Sequence, residues 1–344
     1  MRDRTSAFEE AYRENRWIKP LAKARRYLKS TFPGSIALAR GIASYLPGLD
    51  RAAYSTIGTA SARYCYSVWL RHLEKMREYG LDANPDVVAE IGPGDSLGVG
   101  ISALLCGATK YYALDVVEHT DTSRNAEMLD ELYLMFSGRE RIPDEGEFPG
   151  VEPCLLSYDF PDEVLTERRL STTLTPARKD AIRDALFTEC SAQSQIQISY
   201  IVPWTTDGGL EEGSLDMIIS QATLEHVEDI ETAYRAFYRW LKSGGLMSHQ
   251  IDFRCHGLAS EWNGHWTYSD LTWKAIKGRR PFLINRYPHS VHIDLMREAG
   301  FEIVADEKVK EQSKVRIEEL TRRFGNITQD DLTTKVAHIL ARKV

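Results

Sequence analysis

Glu90, Gly92, Gly94 and Asp95 stand close together in "VVAEIGPGDSLGVG", residues 87–100. A glycine turn that follows a strand lets a ligand approach the backbone closely, and the helix after it offers unpaired N–H groups to negative charge. Asp115 lies 21 residues beyond Gly94, at the end of the next apolar run, where a carboxylate can accept hydrogen bonds from ribose hydroxyls. The spacing is not the dinucleotide pattern. Gly98 falls one place late for G-x-G-x-x-G, and Pro93 and Asp95 stand where the turn would hug a pyrophosphate, which a carboxylate repels. Two acids at the turn suit a ligand with a cationic part, such as a sulfonium carrying an α-amino group.

A second group of residues could move a proton. His226, His249, His256, His265, His289 and His292 cluster in the second half of the chain, and an imidazole is matched to general-base work near neutral pH. His226, in "LEHV", follows an apolar run and is placed to reach a reacting group or to cap the next helix. His249 and Asp252 end another run three residues apart, so a regular strand points them to opposite faces. His249, His265, His226 and Asp252 are the candidate catalytic groups. His256, Glu261, Trp262 and Trp266 share a segment where aromatic faces alternate with polar groups, as a sugar site requires. Arg280 and Arg286, in "KGRRPFLINRYPH", suit bidentate contacts to an acceptor's phosphate or carboxylate. His249, Asp252 and His256 have metal-ligand types, but magnesium prefers oxygen ligands, so a divalent metal is not favoured and no metal residue is assigned.

These residues need a frame. "DVVAEIG", "KYYALDVV", "IQISYIVPW", "SLDMIIS", "LMSHQIDF", "FEIVADEKV" and "KVAHILARKV" read as strands. Helical patterns stand between most of them, including "SLGVGISALLCGAT", "IETAYRAFYRWLKSGG", "SVHIDLMREAG" and 312–324. Strands alternating with helices predict an α/β sheet with the ligand beyond the strands' carboxyl ends. Residues 120–194 are polar, carry several prolines and two helical stretches, and read as an insertion after the second strand. Residues 253–288 read as a loop covering an acceptor. The expected division is a helical extension over 1–80 and the α/β domain over 81–344.

"AEIGPGDS" with "ALDVV", "GSLDMIISQATLEHVEDI" and "RWLKSGGLMSHQIDF" resemble the first, second, fourth and fifth strand motifs of class I S-adenosylmethionine-dependent methyltransferases. The resemblance extends, more loosely, to bacterial methyltransferases of surface-polysaccharide and glycan biosynthesis through "YCYSVWLRHL" and "EWNGHWTYSDLTWK…INRYPHSVHIDLMREAGFEIV". It covers roughly residues 60–305 and implies a Rossmann-like seven-stranded sheet with an N-terminal helical extension and a helical insertion. It also implies that S-adenosylmethionine is the cofactor and S-adenosylhomocysteine the product. By position, Glu90, Gly92, Gly94 and Asp95 would hold the methionine moiety and Asp115 the ribose. Trp204 would lie near the adenine and Gln221 near the amino-acid end. The acceptor implied is a sugar hydroxyl of a glycan, glycolipid or polysaccharide precursor. A small metabolite acceptor, or a non-catalytic scaffold, is the alternative.

The 344 residues carry a net charge of -7, which argues against nucleic acid as partner. Five scattered cysteines without a C-x-x-C pair fit reduced thiols, and no apolar run is long enough for a membrane span, so a cytoplasmic location is expected. Residues 1–40 are basic with interleaved apolar residues, which predicts either a packed helical extension or peripheral contact with an anionic membrane. Nothing in the sequence sets an oligomeric state.

Overall fold

Val87–Ile91 are buried on both faces and form β1 of a seven-stranded sheet, in the computed structural model that describes residues 32–45, 59–118, 120–188, 194–207, 209–280 and 282–344. The other strands are β2 (Lys110–Leu114), β3 (Gln197–Ile201), β4 (Leu215–Gln221), β5 (Leu241–Asp252), β6 (Phe301–Lys310) and β7 (Thr334–Lys343). Their order is β3-β2-β1-β4-β5-β7-β6, with β7 antiparallel to both neighbours and the pairs from β3 to β5 parallel. All seven expected strands are present. The order reverses beside β1, so the ends of β1, β2 and β4 open onto the switch point where α/β sheets bind ligands.

Parallel strands need both faces covered, which is why their sequences run apolar without strict alternation. One face is covered by α2 (Ala62–Glu78), α3 (Gly98–Leu105) and α4 (Thr122–Gly138), whose Trp69, Leu73, Ile101, Leu104, Leu129 and Phe136 are buried in one cluster. The other is covered by α7 (Ile230–Trp240) and α9 (His289–Glu298), through Tyr234, Phe237, Trp240, Ile293 and Met296. Ser61 caps α2 by accepting from the Tyr64 N–H, and Asp121 caps α4 by accepting from the N–H groups of Ser123 and Arg124. Within the predicted insertion lie α4, α5 (Glu167–Thr173) and α6 (Pro176–Phe187).

The described residues divide into two compact units, at boundaries other than those expected. The sheet unit takes the described residues of Ala53–Phe253, with Tyr287–Lys310 and Thr334–Val344. It therefore includes α2, which the sequence reading assigned to an N-terminal extension. That helix is apolar around much of its circumference and buries thirteen residues, so it belongs to the sheet's core. The second unit takes the described residues of Met1–Ala52, with Arg254–Arg286 and Glu311–Thr333. It holds α1 (Pro33–Ala43), α8 (Asp270–Lys277) and α10 (Gln329–Thr333). Helices α1 and α8 pack tightly enough that a Cβ on Gly41 would fall 2.0 Å from the Ala275 carbonyl oxygen. The expected helix at 312–324 is instead two short 3-10 turns, Ile317–Glu319 and Arg322–Phe324. Most of the basic segment predicted to touch a membrane lies outside the described residues. Among those described, no helix is long and apolar enough to cross a membrane.

Candidate methyl-donor site

Gly92 and Gly94 have φ of +72° and +71°, a left-handed conformation that turns the chain sharply after β1. Gly92 is also pressed against the loop after β4. A Cβ there would lie 2.4 Å from Thr223 Cγ2 and 2.7 Å from its hydroxyl. That contact brings the fourth-strand loop to the glycine turn.

The turn is held by hydrogen bonds from its own N–H groups. Gly92 donates to the Leu114 carbonyl at 2.8 Å and Gly94 to Asp115 Oδ2 at 3.4 Å. Asp95 donates to Thr59 Oγ1 at 2.8 Å, Leu97 to Asn125 Oδ1 at 2.9 Å and Gly98 to Ser96 Oγ at 3.2 Å. The Ser96 hydroxyl donates to the Thr59 carbonyl. The sequence expectation that the helix start would offer open N–H groups to an anion is therefore corrected at Leu97 and Gly98. Side chains already satisfy both.

Two carboxylates lie beside the turn, both nearly closed to solvent. Asp115 accepts from the Gly94 N–H with one oxygen and from the Val116 N–H, at 2.7 Å, with the other. Glu90 accepts a 2.5 Å hydrogen bond from the Tyr111 hydroxyl. Burial pushes the Glu90 carboxyl up to about 7, with the Asp115 charge adding to the rise and Tyr111 opposing it. A cation seated here would be welcomed by both acids. A phosphate would meet two carboxyl groups and few open donors.

Trp204 follows β3, and its N–H donates to the Asp115 carbonyl at 2.9 Å. Its half-buried ring packs with centroids 6.2 Å from both Phe237 and Trp240. Asp95 is half-buried in the turn itself. Gln221 ends β4, and its Nε2 donates to the Glu152 main-chain carbonyl at 2.9 Å. Its side-chain N–H group holds the insertion against the sheet's carboxyl edge.

The predicted bases sort differently once placed. His249 is fully buried in mid-sheet, where its Nδ1 shares a 2.8 Å hydrogen bond with Ser220 and its ring packs on Phe237. Burial pushes its pKa down to about 3. It is a neutral packing residue and is corrected as a base. Asp252 is buried at the end of β5, three positions on and so on the opposite face, as the alternation predicts. His226 closes a 3-10 turn, Leu224–His226, three residues after Thr223 and partly open. Of the predicted bases, it alone joins the glycine turn's surroundings with some exposure.

In the second unit, His265 is buried beside Trp266 and Trp273, and burial holds it near 3 as well. Its assignment as a base is corrected for the same reason. Trp266 is fully buried and donates from Nε1 to the Arg286 carbonyl at 3.0 Å. Arg286 is a core residue: its guanidinium donates to the Tyr268 carbonyl and to Asp270, and lies 4.6 Å from the Trp273 ring centre. Burial lowers its pKa to about 10. Arg280 donates to the Lys277 and Ile276 carbonyls and so caps the end of α8. Main-chain carbonyls engage donors of both arginines and Asp270 one more of Arg286, while the buried Arg286 Nε has no hydrogen-bond partner among the described residues. Glu261 pairs with Lys314 at 3.7 Å, half-buried Trp262 donates to the Gln312 carbonyl at 3.4 Å, and His256 is exposed with φ of +50°.

A family profile described as "Methyltransferase domain" matches residues 175–248, from the insertion's last helix through β5. No curated protein matches the chain. Among solved structures, it is similar to an S-adenosylmethionine-dependent methyltransferase from Mesorhizobium loti. The two share 13% identity, 78% coverage of this chain and 96% of that one, with a TM-score of 0.37. A Methanosarcina mazei S-adenosylmethionine-dependent methyltransferase aligns with 13% identity over 78% and 97% of the two chains, at 0.38. The Haemonchus contortus phosphoethanolamine N-methyltransferase 2, solved with S-adenosylmethionine, aligns with 14% identity over 86% of this chain and 59% of its own, at 0.40. The glycine turn fits S-adenosylmethionine by its chemistry. Glu90 and Asp95 suit the cationic methionine end, and Asp115 suits the ribose hydroxyls.

Proposed function

We propose that the protein is an S-adenosylmethionine-dependent O-methyltransferase acting on a sugar hydroxyl of a glycan, glycolipid or polysaccharide precursor. The observation that carries the donor assignment is the glycine turn. Its N–H groups are satisfied from within while two buried carboxylates flank it, which favours a cationic donor over a phosphate. The sulfonium methyl, once bound, supplies an electrophile with an excellent leaving group. The protein has to seat the donor, align an acceptor oxygen about 3 Å from the methyl carbon and take up the acceptor's proton.

The glycan acceptor rests on the resemblance of "YCYSVWLRHL" and "EWNGHWTYSDLTWK" to bacterial glycan-cluster methyltransferases. Within that second stretch, Glu261 and Trp262 keep partly open side chains. A cytoplasmic enzyme meeting lipid-linked precursors through the basic segment of residues 1–40 fits the same reading.

The test is transfer of labelled methyl from S-adenosylmethionine into separated lipid, polysaccharide and small-molecule fractions of host lysate. Label in the lipid-linked or polysaccharide fraction is expected. Label confined to small molecules replaces the glycan acceptor with a metabolite. No binding of S-adenosylhomocysteine by calorimetry would overturn the donor assignment itself.

A further inference from the structure

The insertion brings its main chain at Glu152 to the end of β4, next to the loop that packs on the donor turn. Thr223 packs on Gly92 of the donor turn, and two residues earlier Gln221 donates to the Glu152 carbonyl at 2.9 Å. Between them Ala222 has φ of +50°, a conformation that a non-glycine residue holds only where its surroundings fix it. The segment around Glu152 is itself anchored from the far side. Arg71 of α2 is buried and donates to the carbonyls of Pro143, Val151 and Pro153, at 3.0, 3.0 and 2.7 Å. The main chain over residues 151–153 is thus held from two elements, by Arg71 of α2 and by Gln221 at the end of β4.

Its carboxylate is oriented too. The Cys154 N–H and thiol both donate to Oε2, at 3.0 and 3.1 Å. Those contacts leave Oε1 as the oxygen for an incoming hydroxyl. His249 is closed inside the sheet, whereas Glu152 and His226 are both partly open.

We propose that Glu152 is the general base of the methyl transfer, a role that rests on the donor assignment above. The acceptor hydroxyl would donate to Glu152 Oε1. As an oxygen lone pair forms the O–C bond, the C–S bond breaks with its electron pair going to sulfur, and the hydroxyl proton passes to Glu152. S-adenosylhomocysteine and the methyl ether leave, and Glu152 releases its proton to water. A carboxylate suffices as the proton acceptor, because the sulfonium does most of the activation.

The experiment uses the full chain with labelled S-adenosylmethionine and host lysate as the acceptor source. Calorimetry with S-adenosylhomocysteine is run on the same preparations. Glu152→Gln keeps the size and an oxygen for Cys154, and leaves the carbonyl bonded to Gln221 untouched. Its expected behaviour is S-adenosylhomocysteine affinity within about twofold of the parent chain and methyl transfer slowed about 100-fold or more. Glu152→Asp is expected to recover part of that rate. Transfer within about threefold of the parent in Glu152→Gln would overturn the proposal, as would loss confined to His226→Asn. Joint loss of binding and transfer in Glu152→Gln would overturn it as well, since the residue would then be structural. If the parent chain failed to bind S-adenosylhomocysteine, the donor assignment would fall, and this role with it.

Discussion

Tyr111 on β2 reaches across to Glu90 on β1, and the tyrosine hydroxyl donates to the carboxylate at 2.5 Å. Glu90 is buried and pairs in register with Ala113, so Tyr111 reaches it diagonally along the same face. Burial raises the Glu90 carboxyl to about 7. A cationic donor needs the charged form, which exists above that value and is lost below it. Affinity for S-adenosylmethionine is therefore expected to fall as pH drops from 8 to 6, by as much as tenfold per unit once below the transition. Calorimetry across that range measures it. Glu90→Gln should flatten the profile and weaken binding at pH 8, and Tyr111→Phe should move the midpoint upward by removing the bond that favours the carboxylate. A profile identical in the parent chain and Glu90→Gln would detach Glu90 from donor binding.

Gly92 is constrained twice, by its φ of +72° and by Thr223. Gly92→Ala should cost about 1–3 kcal/mol in backbone strain and displace the Thr223 side chain. The expected readout is at least a tenfold loss of S-adenosylhomocysteine affinity, with a lower melting temperature. Adding Thr223→Ala removes the steric part and leaves the strain. The double variant should thus recover a fraction of the loss, a coupling that independent sites would not show.

The seven strands could be read from apolar runs because parallel strands covered on both faces are continuous in hydrophobicity. The donor turn could be read from glycines that the backbone geometry requires. What escaped was decided by partners far away in sequence. Arg280 and Arg286 look like anion ligands in isolation, yet carbonyls at the end of α8, the Tyr268 carbonyl and Asp270 engage several of their donors. His249 looks like a base, yet β5 lies mid-sheet and its imidazole is sealed under Phe237. Glu152 was passed over because an acid in a proline-rich insertion carries no periodic signal. Only Arg71 and Gln221, 81 and 69 residues away, fix where it lies. The expected helix at 312–324 failed because "EELTRRFG" can satisfy its backbone in 3-10 turns, with Phe324 buried beside Trp266.

Arg71 is expected to behave as a structural pin for the insertion. Its donors serve the carbonyls of Pro143, Val151 and Pro153 and the Glu145 carboxylate at 3.1 Å. Arg71→Met keeps the aliphatic volume but strands those acceptors, which should cost about 3 kcal/mol or more. Cleavage between residues 139 and 160 under limited proteolysis should accelerate, while the sheet resists. Uniform destabilisation without preferential cleavage there would mean that Arg71 stabilises the core as a whole.

His72 and His338 are joined through one hydroxyl, Ser248 Oγ, at 2.6 and 3.0 Å. A single O–H can donate to only one ring nitrogen, so the other ring must present its N–H to the serine oxygen. The accepting ring is therefore neutral, and burial disfavours the charged form of both rings, lowering both pKa values, that of His72 to about 3. His249 and His292, in the same sheet unit, are likewise held near 3 by burial. The unfolded chain binds protons at these sites below about 6.5 while the folded chain does not. Stability is thus greatest above that pH and declines as pH falls through 6.5 toward 3, by up to about 1.4 kcal/mol per unit for each such histidine. Urea denaturation at pH 7.5 and 5.5 should show a lower midpoint at 5.5 with an unchanged slope. Ser248→Ala should cost about 1–3 kcal/mol at pH 7.5, since it strips both rings of their shared partner. A midpoint that rose on acidification would mean that these imidazoles are not the dominant titrating groups of the fold.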